Sequence, residues 1–88
     1  MEYALKNKAW RTFLAEITKC KSVNKLEEFF DLYLTITEKE EFTNRYLIIQ
    51  ELLRGRKTQR EIAADLKVSL ANVNRGSNVL KQLSLRHK

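Results

Sequence analysis

Residues 59–78 read QREIAADLKVSLANVNRGSN. Apolar residues recur at helical spacing on both sides of a three-residue break, Lys67-Val68-Ser69. Just ahead, Thr58 stands three residues before Glu61, the spacing at which each side chain can accept the other's free backbone N–H. The pattern predicts a short helix over 59–66, a tight turn, and a second helix over 70–83 with Ser69 as its N-cap. Ile62 and Leu66 form the inner side of the first helix, and Leu70 and Val73 that of the second. Small Ala63 stands where the second helix must cross closely. This is the spacing of a helix-turn-helix, whose second helix is free to enter a DNA major groove. An α-hairpin used only for packing would show the same apolar spacing. Lys67 departs from the pattern, because many such turns carry Gly there. A left-handed Lys costs ~1 kcal/mol relative to Gly.

The N-terminal end of the second helix leads into the groove, which nominates Leu70, Ala71 and Asn74 as base readers. Asn can bond adenine through two hydrogen bonds, and Leu or Ala can meet a thymine methyl. Gln59 and Arg60 are placed for phosphates or a flanking base. Lys57, Thr58 and Lys81 suit phosphates, where they would position the protein without reading sequence.

Working outward, the 88 residues include no Pro and two Gly, so the chain reads as one all-helical domain with short links. Residues 1–54 read as core and dimerisation helices and residues 58–81 as the helix-turn-helix. A first helix is expected over 3–21, with Leu5, Ala9, Phe13, Ile17 and Cys20 in register and Trp10 and Leu14 beside them. Trp10 and Phe13 suit core or dimer-contact anchors better than a ligand cage. Asn24 before Glu27 and Thr37 before Glu40 offer two more caps, for helices over 25–34 and 38–54, and Gly55 follows as a C-cap.

The net charge of +6 is unevenly spread: residues 54–88 hold nine basic and two acidic groups, and residues 1–53 eight and nine. The excess is placed as a polyanion-binding surface requires, although a solvated basic face would look the same. Cys20 is alone, so no internal disulfide forms, and it reads as a small buried hydrophobe. There is no apolar run of membrane-spanning length and no signal peptide, which makes the cytoplasm the default. An enzyme is not expected, and neither a catalytic nor a metal site. The single His, His87, reads as a tail residue, and there is no Cys/His cluster or P-loop.

Asn72, Arg75, Gly76 and Val79 share a second face of the last helix, different from that of Ala71, Asn74 and Asn78. Gly76 inside a helix costs roughly 1 kcal/mol against Ala, which a close approach by a backbone, a ligand or a packed helix would explain. Arg45 interrupts an apolar stripe of Phe42, Ile48, Ile49 and Leu52 and needs a partner, either Glu41 or Glu51 or a bound anion. The internal salt bridge is the favoured expectation.

Three segments together resemble the tryptophan repressor family: NRYLIIQELLRG at 44–55, TQRE at 58–61, and RGSN at 75–78 followed by Leu80-Lys81. The resemblance covers about residues 10–81. It implies an intertwined all-helical homodimer that binds L-tryptophan as corepressor and then double-stranded operator DNA. By position, Arg45 and Arg75 would sandwich the indole ring, with Arg75 also at the carboxylate, as guanidinium planes stack well on aromatic rings. Thr35 would assist at the carboxylate, the carbonyls of Leu32 and Leu34 from the other subunit would take the ammonium, and Gly76 would lie against the ring. The family usually has Thr at the position of Asn72 and Ser at that of Val79. Val cannot replace the Ser hydrogen bond, a loss of ~1 kcal/mol. The family's final helix is expected to be shortened or absent in a chain that stops at Lys88. Another amino acid, an indole compound, ligand-independent binding, or a basic helical module for an acidic protein partner are the alternatives.

Overall fold

A computed structural model describes the backbone of residues 2–86 and the side chains of residues 3–84. His87 lies outside these residues. The described chain is all-helical, with helices α1 (Glu2–Thr18), α2 (Val23–Asp31), α3 (Ile36–Arg54), α4 (Gln59–Leu66) and α5 (Leu70–Arg86) and no strand. It falls into two compact units, Met1–Thr35 and Ile36–Lys88.

In the first unit α1 stops at Thr18, three residues short of the expected end. Lys19 and Cys20 donate their N–H groups three residues back, to Glu16 and Ile17, tightening the last turn. The cap of α2 is Ser22 rather than Asn24: its backbone is extended and its hydroxyl accepts from the Lys25 N–H at 3.1 Å. Two cap residues compete here, and the earlier one wins. Phe13 is the hub of an aromatic cluster, with ring centroids 5.8 Å from Trp10, 5.4 Å from Phe29, 6.0 Å from Phe30 and 5.5 Å from Tyr33. No described side chain of this unit is fully buried, and Trp10, Val23 and Leu32 are 58%, 83% and 77% exposed. Cys20 is a half-buried free thiol whose Sγ donates to the Glu16 carbonyl at 3.8 Å.

The second unit packs α3, α4 and α5 on one another. α3 begins at Ile36, so Thr37 lies inside it and the expected Thr37 cap is not used. Thr35 and Glu38 repeat the Thr-x-x-Glu spacing two residues earlier, and the helix takes that register. Gly55 ends α3 with φ +67°. The Thr58–Glu61 box closes in both directions: the Thr58 N–H donates to Glu61 Oε1 at 2.9 Å and the Glu61 N–H to Thr58 Oγ1 at 3.2 Å. α4 ends on Lys67 at φ 56°, ψ 44°, so the turn takes the left-handed backbone with a lysine. Ser69 caps α5, accepting from the Asn72 N–H at 3.1 Å. α5 runs past the expected Leu83, as neither Gly nor Pro follows to stop it.

Ile48, Ile62 and Val73, one from each helix, form the buried centre, with Leu52, Ala63, Leu66 and Val68 against it. Leu70, expected in this core, is instead 44% exposed, and Phe42, expected in the stripe, is 58% exposed. The inner face of α5 starts at Val73, and that of α3 at Ile48. Among the described residues, no helix is long and apolar enough to cross a membrane.

Candidate nucleic-acid interface and the adjoining cleft

The buried centre fixes which faces of α5 remain available. With Val73 inward, Leu70, Ala71, Asn74 and Asn78 are exposed. Three of them are the predicted base readers, and they form one outward row on the helix. Arg60 and Lys81 are exposed and Gln59 is half-buried. The Thr58 hydroxyl accepts within the capping box, which leaves its own proton free to donate. Lys57 is differently placed: its Nζ lies 2.8 Å from Glu51 Oε2 and 2.7 Å from Asp65 Oδ2. The hydrogen bond to Asp65, reinforced by that to Glu51, raises the lysine's pKa above its ordinary value. Hydrogen bonds from Lys57 and then Arg54 lower that of Glu51.

On another face of α5 lies a cleft of about 490 Å³. One wall is α3, through Glu41, Asn44, Arg45, Ile48 and Ile49. The other is α5, through Asn72, Arg75, Gly76 and Val79. All four α5 residues that the sequence singled out are therefore brought together with Arg45. The volume falls in the range of small-molecule sites, roughly 300–1,000 Å³. A second hollow, lined by Ile36, Lys39, Glu40, Thr43 and Asn44, belongs to α3 alone and has no opposing wall. Leu32, Leu34 and Thr35 belong to the first unit, and the cleft is built within the second.

Two guanidinium groups, one carboxylate, two amides and three aliphatic side chains line one hollow. The expected salt bridge of Arg45 does not form. Glu51 is taken by Arg54, at 2.7 Å, and by Lys57, while Glu41 lines the cleft without pairing with Arg45. Arg75 Nη1 approaches Asn72 Oδ1 at 3.5 Å, too long for a firm hold. Glu41, Asn44, Ile48 and Ile49 were not picked out as cleft residues from sequence. Their signal was the spacing 41, 45, 48 and 49, which places them on the α3 face that carries Arg45.

Gly76 is buried, and its neighbours account for it. A Cβ there would lie 3.0 Å from Ile48 Cγ2, 3.4 Å from Leu52 Cδ1 and 3.5 Å from Ile49 Cδ1. Close helix packing thus explains the glycine, at the same point where it borders the cleft.

The family described as Trp repressor protein matches residues 8–88 of the chain. A Trp operon repressor homolog of Chlamydia caviae is 43% identical over 79 residues, 90% of this chain and 78% of that protein. One of Chlamydia trachomatis serovar D is 42% identical over 90% of this chain and 84% of that protein. One of Haemophilus influenzae strain Rd is 35% identical over 74 residues, 84% of this chain and 73% of that protein. Together with the all-helical architecture, these matches show that the chain belongs to the Trp repressor family, a family of regulators and not of enzymes.

Proposed function

We propose that this protein is a cytoplasmic, ligand-gated repressor that binds operator DNA as a homodimer, with L-tryptophan as corepressor. The observation that carries the reading is the division of α5. Ala71 and Asn74 are exposed in one row, while Asn72, Arg75, Gly76 and Val79 wall a cleft on a different face. A ligand in that cleft pushes on the helix that reads DNA. It must favour the DNA-competent arrangement over the free one, or it shifts nothing. Moving the competent fraction from 1% to 99% takes roughly 5.5 kcal/mol of differential affinity.

The cleft chemistry suits an amino acid with a large apolar side chain. Arg45 and Arg75 offer charge and stacking planes to a carboxylate and a ring, and Ile48, Ile49 and Val79 offer apolar contact. Glu41, the one carboxylate lining the cleft, offers an acceptor for an ammonium. A related effector is the second reading, favoured by Asn72 and Val79 on the wall, since Val provides no hydrogen bond.

Dimerisation is supported by the first unit, which leaves Trp10, Val23, Leu32 and Tyr33 exposed around an aromatic cluster. Two copies would then present two α5 helices to major grooves one turn apart, about 34 Å. Light scattering measures the dimer directly. Calorimetry with L-tryptophan tests the corepressor: heat of binding to the folded dimer is expected, and its absence at millimolar ligand defeats the tryptophan reading. A duplex reader making about six phosphate contacts should show a log–log salt slope near −5 and prefer some sequences over others. Equal affinity for every duplex defeats the operator reading.

A further inference from the structure

The link between α3 and α4 carries a charge cluster that neither the cleft nor the outward row of α5 uses. Glu51 sits on the last turn of α3 and Asp65 on the last turn of α4, with Lys57 in the link between them. The ammonium of Lys57 lies within 3 Å of both carboxylates, at 2.8 and 2.7 Å. Glu51 Oε1 also accepts from Arg54 Nη1 at 2.7 Å, and the Glu51 side chain is only 13% exposed. A lysine used on a phosphate would have to leave these partners and would bring two carboxylates towards the DNA backbone. As a tie, it joins the ends of two helices, one of which, α4, has eight residues. A helix that short is not stable by itself and takes its orientation from what holds it.

We propose that Lys57 is a positioning residue, not a phosphate contact: with Glu51 and Asp65 it clamps α4 onto α3 and so sets the pose from which α5 enters the groove. The proposal rests on the DNA-binding reading given above. It predicts an effect opposite in sign to simple electrostatics. Asp65→Asn removes a negative charge near a polyanion and releases the ammonium, so a phosphate-contacting Lys57 would bind DNA more tightly in that variant. A clamp that has lost one arm holds α4 less firmly, so sequence-specific binding weakens.

The test uses the full chain, with and without L-tryptophan, and a duplex enriched by the wild-type protein from a random-sequence pool. Asp65→Asn, Lys57→Met and the double variant are compared well below their melting temperatures, with circular dichroism confirming helix content. Each single variant is expected to lose about three- to tenfold in affinity for the enriched duplex, as befits a small ionic network. Affinity for unselected duplex and the salt slope should stay unchanged. In the Lys57→Met background Asp65→Asn should add nothing, since the coupling is already broken. Tighter binding by Asp65→Asn in either background overturns the proposal, as does a salt slope smaller by about one in Lys57→Met. A wild-type protein that enriches no sequence overturns the DNA reading and the clamp with it.

Discussion

Gly76 of α5 passes so close to Ile48 of α3 that a Cβ on the glycine would stand 3.0 Å from the isoleucine's Cγ2. Ile48 is 3% exposed and branched at Cβ, so that methyl cannot swing aside without disturbing the core. Gly76→Ala gains helix propensity worth about 1 kcal/mol but overpacks a tight contact at a cost of about 1–3 kcal/mol. The net expectation is a modestly lowered melting temperature and a displaced cleft wall. Adding Ile48→Leu, which removes the Cβ branch carrying that Cγ2 methyl, should cost less stability in the Gly76→Ala background than in wild type. Additive melting shifts in the double-mutant cycle would refute the contact as the cause.

Lys67 ends α4 with φ 56° and ψ 44°. A side chain in that region crowds the following carbonyl, at roughly 1–2 kcal/mol. Glycine removes the crowding but gives back part of the gain through a more flexible unfolded chain. Lys67→Gly is therefore expected to stabilise by about 0.5–1 kcal/mol, seen as a melting temperature higher by several degrees. A lower melting temperature would show that the Lys67 side chain makes contacts that outweigh its backbone strain.

The two helices on either side of the Lys67-Val68-Ser69 break were legible because their signals are local. Ile62 and Val73 are buried where the apolar period puts them, and Thr58, Gly55 and Ser69 act at the helix ends as their chemistry requires. Cap choice was less legible: Ser22 and Asn24 are both good caps two residues apart, so sequence offers two starts for α2. The pairing of Glu51 with Lys57 was not legible at all. Lys57 comes from a link with no periodicity, and it occupies one of the two carboxylates considered as partners for Arg45. Likewise, Leu70 fits both a core list and a groove list on spacing alone, and only the position of Val73 turns it outward.

The cluster at Lys57 gives a pH dependence of known sign. Hydrogen bonds from Lys57 and Arg54 hold the Glu51 carboxyl below its ordinary value of 4.5. A lowered folded-state value contributes stability that is complete above 4.5 and is lost as pH falls through the folded value. Lys57 is shifted upward from 10.5 by Asp65 and Glu51, so its contribution is complete below 10.5 and fades at higher pH. The melting-temperature gap between wild type and Glu51→Gln should thus be steady at neutral pH and shrink on acidification below about pH 4.5. A gap that widens in acid would mean that Glu51 is not held as the ion cluster implies.

Asn74 and Arg75 are consecutive on α5 yet differently placed, since Asn74 is in the exposed row and Arg75 lines the cleft. Their alanine variants should therefore fail in different ways. Arg75→Ala removes a guanidinium from the cleft and leaves the outward row intact. It is expected to abolish the heat of L-tryptophan binding and the ligand's effect on DNA affinity, while the weak binding of unliganded protein persists. Asn74→Ala leaves the cleft intact, so the ligand should bind as in wild type. Loss of a bidentate adenine contact costs about 1–3 kcal/mol at one base pair, so discrimination at that position should relax while the salt slope stays the same. Calorimetry reads the first variant, and competition among single-substituted duplexes reads the second. Full ligand response in Arg75→Ala would show that the cleft is not the effector site. Unchanged discrimination in Asn74→Ala would remove Asn74 from the bases and leave Leu70 and Ala71 as the candidates.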